Sequence, residues 1–422
     1  VIPALFAALA FAQEPQPPIT AEPDRRVEIE LSSYYSPRRL ALTLAEVATK
    51  YPELVRVETL GQSEAGTQIP VVTLARLEGE DPLARPAMLV VAGFGQEDLF
   101  STELALALIR HVLQENRRDP SVAELLDRCV LHVVPCLDVD LRERVFTAIT
   151  DGRTEVAPRA VELDRNFPGG WDPLGHAASG PYPLSVPEAR ALADFLVARP
   201  NIAVCQRFRG AGTRADAVPA WAVPDLGAAR ELAGELGFDG LESLAGGAGS
   251  FLRFAYGDRG ALVFRAPATF ERGGPWALPP VQDLAQLGRQ AAQASLKLTR
   301  ALARLELGAP TISTLAPGQW TVELVLNNTG RLPTSTARAR ELGTASAPLL
   351  ELTGARLVAA ALVRGEESIA LPPKGTRLEL PDLSGRESVT LRLFLSGDAG
   401  VEVTTSVRST RAGSSRVSFA LR

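Results

Sequence analysis

Between residues 34 and 305, apolar residues switch repeatedly from helical spacing to short unbroken runs. SPRRLALTLAEVATKYP places them one helical turn apart, with Ser36 as a cap and Pro37 in the first turn. VRVETLGQS and IPVVTLARL read as strands around a turn containing Gly66. PAMLVVAGFG is apolar throughout and ends in glycines, as a strand buried on both faces should be. STELALALIRHVLQEN is an amphipathic helix with Ser101 as its cap, and CVLHVVPCLDVD is a second buried strand. SVPEARALADFLVARP is a helix, NIAVCQRF and RGALVFRAP are strands, and the run from Val281 to Leu307 is a closing helix. Such alternation predicts an α/β fold in which a mixed, mostly parallel, doubly wound sheet carries helices on both faces.

After Pro310 the pattern changes. WTVELVLNNTG, GARLVAAALV, TRLELPDL, ESVTLRLFLSG and VEVTTSVRS are short strands separated by turns, which predicts a C-terminal all-β sandwich. Upstream, VIPALFAALAFAQEP is an apolar run closing on Ala10-Phe11-Ala12, the pattern of a signal peptide. The predicted organisation is a signal-peptide remnant over 1–12, a Pro-rich acidic linker over 13–29, an α/β domain over 30–307 and a sandwich over 310–422. A secreted or periplasmic protein follows, with no membrane span in the mature chain, because no later apolar run reaches spanning length.

Net charge and cysteines narrow the function. A formal charge of -5 without a basic run argues against nucleic acid as a partner. The three cysteines, Cys129, Cys136 and Cys205, are neither a disulfide framework nor a zinc-finger set, and read as buried apolar residues.

Ligands of a doubly wound sheet gather beyond the carboxyl ends of its strands. Those ends, with their flanks, resemble the zinc carboxypeptidases of the carboxypeptidase A type. GQSEAGTQIPVVTL resembles that family's early turn and strand. PAMLVVAGFGQEDLFSTELALALI resembles the strand, loop and helix that carry its His-x-x-Glu zinc motif. ELDRNFPGGWDP resembles DLNRNFPxxW, and SGPYPLSVPEARALADFL resembles the helix that follows. NNTGRLPT resembles the sandwich appended to some bacterial members.

The resemblance implies two zinc histidines, a zinc glutamate, a general-base glutamate, and arginines that bind the peptide's terminal carboxylate. A catalytic zinc needs three protein ligands and one open position. In this chain the motif reads Phe94-Gly95-Gln96-Glu97, so Glu97 survives as a residual ligand while the histidine is Phe94. The second histidine falls on Phe208 or Arg209, and the general base on or near Pro267, with Glu271 four residues beyond. A structural zinc site contributes about 10–16 kcal/mol, or about 3–4 per ligand, so one carboxylate would hold zinc only weakly. No cofactor is expected; zinc enters only if displaced ligands rebuild the site. His111, His132 and His176 have no ligand spacing. His132 reads as a core residue, and His176 is the one in a loop near the cleft.

The binding half looks better kept. Arg165 stands at the carboxylate-binding arginine, pairing with Asp164 or Glu97 if it is only structural. Arg153 matches the arginine that polarises the scissile carbonyl, although Glu155 replaces the expected Asn. Tyr256 is either the cleft tyrosine or the aromatic that packs its turn. Asp138 and Asp140 form an acidic turn at a strand end. The expectation is a non-catalytic pseudopeptidase that binds peptide C-termini or cell-wall peptides, or a scaffold with a protein partner on the sandwich. The alternative is an active metallocarboxypeptidase with displaced ligands.

Overall fold

The computed structural model describes residues 29–95, 99–174, 177–208, 223–235, 248–266 and 278–422. Helix α1 (Pro37–Lys50) starts where Ser36 accepts from the Arg39 N–H, as its sequence predicts. The edge hairpin β1 (Val55–Gln62) and β2 (Gln68–Leu74) leads into β3 (Ala87–Val91), α2 (Ser101–Arg118), α3 (Pro120–Arg128) and β4 (Val130–Val134). Then follow α4 (Val139–Thr150), α5 (Pro187–Val197), β5 (Ile202–Phe208), α6 (Val223–Glu235), α7 (Phe251–Gly257), β6 (Leu262–Ala266) and α8 (Leu284–Arg300).

Among the described residues the six strands form one sheet in the order β1-β2-β4-β3-β5-β6. β1, β2 and β4 pair antiparallel, and β4, β3, β5 and β6 run parallel. The mixed, mostly parallel sheet expected from the alternation is therefore present. Every residue of β3 and β4 is buried. Central strands have no solvated face, which is why they read as unbroken apolar runs.

Two local expectations need correction. The run CVLHVVPCLDVD is not strand to its end: β4 stops at Val134, and Asp138 caps α4 by accepting from the Leu141 N–H at 3.1 Å. An Asp at a cap satisfies one of the orphan N–H groups of a new helix. Ser101 is not the cap of α2 but its first residue; its hydroxyl accepts from the Gly93 N–H at 2.8 Å. α3 and α4 are helices that the apolar pattern does not predict. They are short, and each opens on an acidic cap, Asp119 and Asp138.

α2 and α4 are tied by buried charge. The Glu103 carboxylate accepts from Arg142 and from the Tyr35 N–H, while Arg142 also donates to the Tyr35 and Leu99 carbonyls. Such a pair is tolerated in the interior only because each charge is also hydrogen-bonded.

The second unit comprises β7 (Leu305–Leu307), β8 (Thr311–Ala316), β9 (Gln319–Asn328), α9 (Ala337–Glu341), β10 (Leu349–Thr353) and β11 (Arg356–Arg364). It continues with β12 (Glu367–Leu371), β13 (Arg377–Glu379), β14 (Ser388–Ser396), β15 (Glu402–Ser409) and β16 (Gly413–Ala420). Two antiparallel sheets, β13-β10-β15-β16 and β12-β11-β14-β9-β7 with β8 beside β9, enclose a separate apolar core that begins at Ala303. Alternating burial along β9 and β14 is the period-two pattern of a sheet with one covered face. β7 already pairs with β9, so the sandwich sheet starts before the change in composition at Pro310.

Candidate functional site

Beyond the carboxyl ends of β3 and β4, backbone bonds close the sheet tightly. Leu137 N–H donates to the Ala92 carbonyl at 3.0 Å and Asp138 N–H to the Gly93 carbonyl at 2.7 Å. Gly93 has φ +68°, and a Cβ there would lie 2.9 Å from the Cys136 Cα, so a side chain is excluded twice over. The chain leaves this turn with Phe94 laid across the end of β5. The Arg207 guanidinium carbon sits 4.3 Å from the Phe94 ring centroid. Phe94 also meets Phe251 at 5.6 Å, Phe251 meets Phe167 at 5.4 Å, and Phe167 meets Phe254 at 5.8 Å. Phe94 is 4% exposed, and Phe167, Phe208 and Phe251 are fully buried.

Arg207 pairs with Asp164, whose other carboxylate oxygen accepts from the Phe251 N–H at 3.0 Å in the first turn of α7. A cation beside an aromatic face and a carboxylate is a balanced arrangement for a nearly buried arginine. The described strand ends are thus filled by an aromatic cluster, with Arg207 and Asp164 over it.

The positions that the resemblance assigns to zinc ligands do not fit the metal where they are described. Phe94 and Phe208 carry no donor atom, and both side chains are committed to packing. Glu97, Arg209, Pro267, Glu271 and His176 lie outside the described residues. Among the described residues no group of three or more His, Cys, Asp or Glu side chains is placed to hold a metal ion. His132 is a core residue of β4: its Nδ1 lies 3.0 Å from Thr73 Oγ1, and it meets Phe195 edge-on. Burial pushes its pKa down to about 3. His111 lies on α2, its pKa also lowered by burial. The three cysteines are free and buried.

The arginines sit differently from expectation. Arg165 does not take Asp164; its Nε donates to Glu162 at 2.6 Å, with 37% of its side chain exposed, and Glu97, its other expected partner, lies outside the described residues. Asp164 is taken by Arg207 instead, a more buried cation. Arg153 lies in the exposed turn after α4, paired with Asp151 at 3.1 Å. Tyr256 is not a cleft residue. It is 1% exposed, and its hydroxyl donates to Asp225 on α6 at 2.7 Å. Burial, and then that acceptor, raise its pKa. The same carboxylate accepts from the Ala337 and Arg338 N–H groups at the start of α9, so Tyr256 belongs to the junction with the sandwich.

Arg159 is the residue that sequence reasoning missed. Its side chain is 11% exposed and bridges two buried carboxylates, Asp138 at 2.9 Å and Glu188 at 2.9 Å, and reaches Glu64 at 3.3 Å. Burial works against its charge, but the bonds to Glu188 and the two carboxylate charges outweigh that and raise its pKa. Asp138 shows the opposite balance. One oxygen accepts from Arg159 and Leu141, while the other is buried without a partner. Burial therefore dominates, and its carboxyl is pushed up to about 6. Asp140 accepts from Ser63 Oγ at 2.7 Å and the Ala65 N–H at 2.9 Å. The acidic turn is a clamp between β1–β2, α4 and α5. No motif announces Arg159, because its partners come from three distant segments.

Comparison with known proteins agrees with this architecture. Residues 41–215 match the family model described as zinc carboxypeptidase, and residues 304–420 match one described as a domain of unknown function. The chain is 24% identical over 178 residues to carboxypeptidase B of Rattus norvegicus, covering 39% of this chain and 41% of that protein. It is 25% identical over 142 residues to carboxypeptidase M of Mus musculus, covering 33% and 32%. The chain thus spans less than half the length of these curated relatives. Among solved structures, carboxypeptidase A from Helicoverpa armigera shares the fold with a TM-score of 0.53 at 16% identity, over 64% of this chain and 74% of that one. The bovine thrombin-activatable fibrinolysis inhibitor, solved with tick carboxypeptidase inhibitor, does so with a TM-score of 0.50 at 18% identity, over 64% and 97%. Residues 41–215 are thus similar to the zinc carboxypeptidase family, and the mixed sheet shares the fold of a solved carboxypeptidase A.

Proposed function

We propose that this protein is a non-catalytic member of the family whose α/β domain serves as a scaffold joined to the sandwich. One observation carries the reading: Phe94, at the position of the first zinc histidine, is packed between Arg207 and Phe251 instead of facing open space. Loss of the metal alone would leave a gap for water or a replacement ligand. Here the gap is filled by residues from β5, α7 and the loop before α5, so the loss of the ligand is built into the packing. Of the two non-catalytic roles expected from sequence, the filled strand ends favour scaffolding over capture of a peptide C-terminus. We also propose export from the cytosol, on the apolar run that closes on Ala10-Phe11-Ala12.

Metal analysis of protein purified without chelators, paired with a C-terminal release assay on a broad peptide library, tests the reading. Sub-stoichiometric zinc and no release are expected. Stoichiometric zinc, or release abolished by a chelator, would overturn it in favour of displaced ligands.

A further inference from the structure

α2 and α8 enclose a trough of about 730 Å³ that is lined by none of the strand-end or junction residues described above. The two helices touch where Gly288 meets Ala107; a Cβ on Gly288 would lie 2.4 Å from the Ala107 Cβ. They run in the same direction, since each follows a strand of the parallel set, β3 and β6. Arg300 near the end of α8 accordingly reaches Asp119 at the end of α2, at 3.3 Å.

This register sorts the cations of the trough into two tiers. Arg110 and Arg289 lie just beyond the Gly288 contact. Arg118 and Lys297 lie about 12 Å further along the helices, at 1.5 Å per residue, and Arg300 about 16 Å. Among the described residues, the side chains of Arg110, Arg118, Arg289 and Lys297 have no ion-pair partner, and Arg300 shares its charge with Asp119. Among the described residues, Glu115 and Asp119 are the trough's only acids. Here like charges face each other in a concavity, within a protein whose formal net charge is -5.

We propose that this trough binds a small molecule carrying two phosphate groups about 12 Å or slightly less apart, one per tier. The five cations and two acids leave the trough an excess of about three positive charges, which matches two phosphates of about −1.5 to −2 each better than two carboxylates of −1. Guanidinium forks suit tetrahedral oxyanions, donating two parallel N–H bonds to paired oxygens. The volume is that of a small-ligand site. His111, on the α2 side, is held neutral by burial and keeps an N–H to donate.

Calorimetric titration of the full chain with fructose 1,6-bisphosphate, glucose 6-phosphate and heptanedioate tests this. The bisphosphate should bind saturably, and about tenfold or more tighter than either of the others, the worth of one further charge-assisted contact set. Arg289→Gln, and separately Arg118→Gln, should each remove that advantage, while Arg416→Gln on the exposed face of β16 should leave it intact. Both trough positions are exposed, so far-UV circular dichroism should be unchanged. Absence of saturable bisphosphate binding would overturn the proposal. So would equal affinity for the monophosphate or the dicarboxylate, undiminished binding in both trough variants, or an equal loss in Arg416→Gln.

Discussion

Phe94 and Asp138 show how single residues at the strand ends carry opposite energetic signs. Phe94 is nearly buried and touches both an aromatic ring and a guanidinium. Phe94→Ala should lower stability by about 3–5 kcal/mol, because it opens a cavity under Arg207. Urea denaturation reads this directly; a loss below about 1 kcal/mol would mean that the cluster collapses to fill the space. Asp138 is a carboxyl whose pKa rises on folding, to about 6. Below its unfolded pKa, about 4, the folded state gains from binding this proton more tightly. That gain fades as pH rises from about 4 through about 6. Asp138→Asn keeps an acceptor for the Leu141 N–H and carries no titration. The difference in urea midpoint between the two proteins should therefore shift across pH 4–6 in favour of the variant, as about 4 and 6 bracket the titration. A difference that is flat with pH would show that Arg159 keeps the carboxylate ionised throughout.

At the scale of elements, the contact between α2 and α8 is set by one glycine. Gly in a helix interior costs about 1 kcal/mol relative to Ala, so Gly288 is present for its lack of a side chain. Gly288→Ala gains that propensity but drives a methyl into Ala107, and overpacking of this kind costs about 1–3 kcal/mol. A net loss of about 1 kcal/mol in chemical denaturation is expected, relieved by adding Ala107→Gly. A stabilised Gly288→Ala would mean that the helices separate freely. Helices read well from sequence where they are long and one-sided, as with α1, α2, α5 and α8. The short α3 and α4 did not, because a stretch of 9 or 12 residues beside buried strands shows too little periodicity to separate from a strand or loop.

Across the whole molecule, one buried arginine ties the two cores together. Arg411, in the turn before β16, donates to the carbonyls of Pro200 at 3.0 Å, Arg259 at 2.7 Å and Gly260 at 2.6 Å. Burial lowers its pKa to about 10, so it stays charged at neutral pH. Thr336 donates to the Gly260 carbonyl at 2.6 Å, and Asp225 holds the start of α9, which strengthens the same junction. Arg411→Met removes a donor from all three carbonyls; Gly260 and Arg259 keep Thr336 and Thr344, while the Pro200 carbonyl is left unsatisfied, at about 1–3 kcal/mol. Differential scanning calorimetry should then resolve two unfolding transitions, one per core, in the variant. A single transition at an unchanged temperature would place the coupling elsewhere.

By itself the sequence determined the layers: unbroken apolar runs for central strands, helical stripes for their covers, and period-two alternation for the sandwich. It also determined what Phe94 and Phe208 cannot do, since donor chemistry is a property of the residue alone. Only the tertiary structure decided what took the place of the lost chemistry. The ring of Phe94 meets Arg207 and Phe251 across more than a hundred residues of chain, and Asp164 leaves its sequence neighbour Arg165 for a cation on β5. Arg159 between Asp138 and Glu188, and Tyr256 on Asp225, are contacts of the same kind. Each charge settles on the partner that burial brings within reach, and that choice is made by packing between distant segments, to which local pattern is blind.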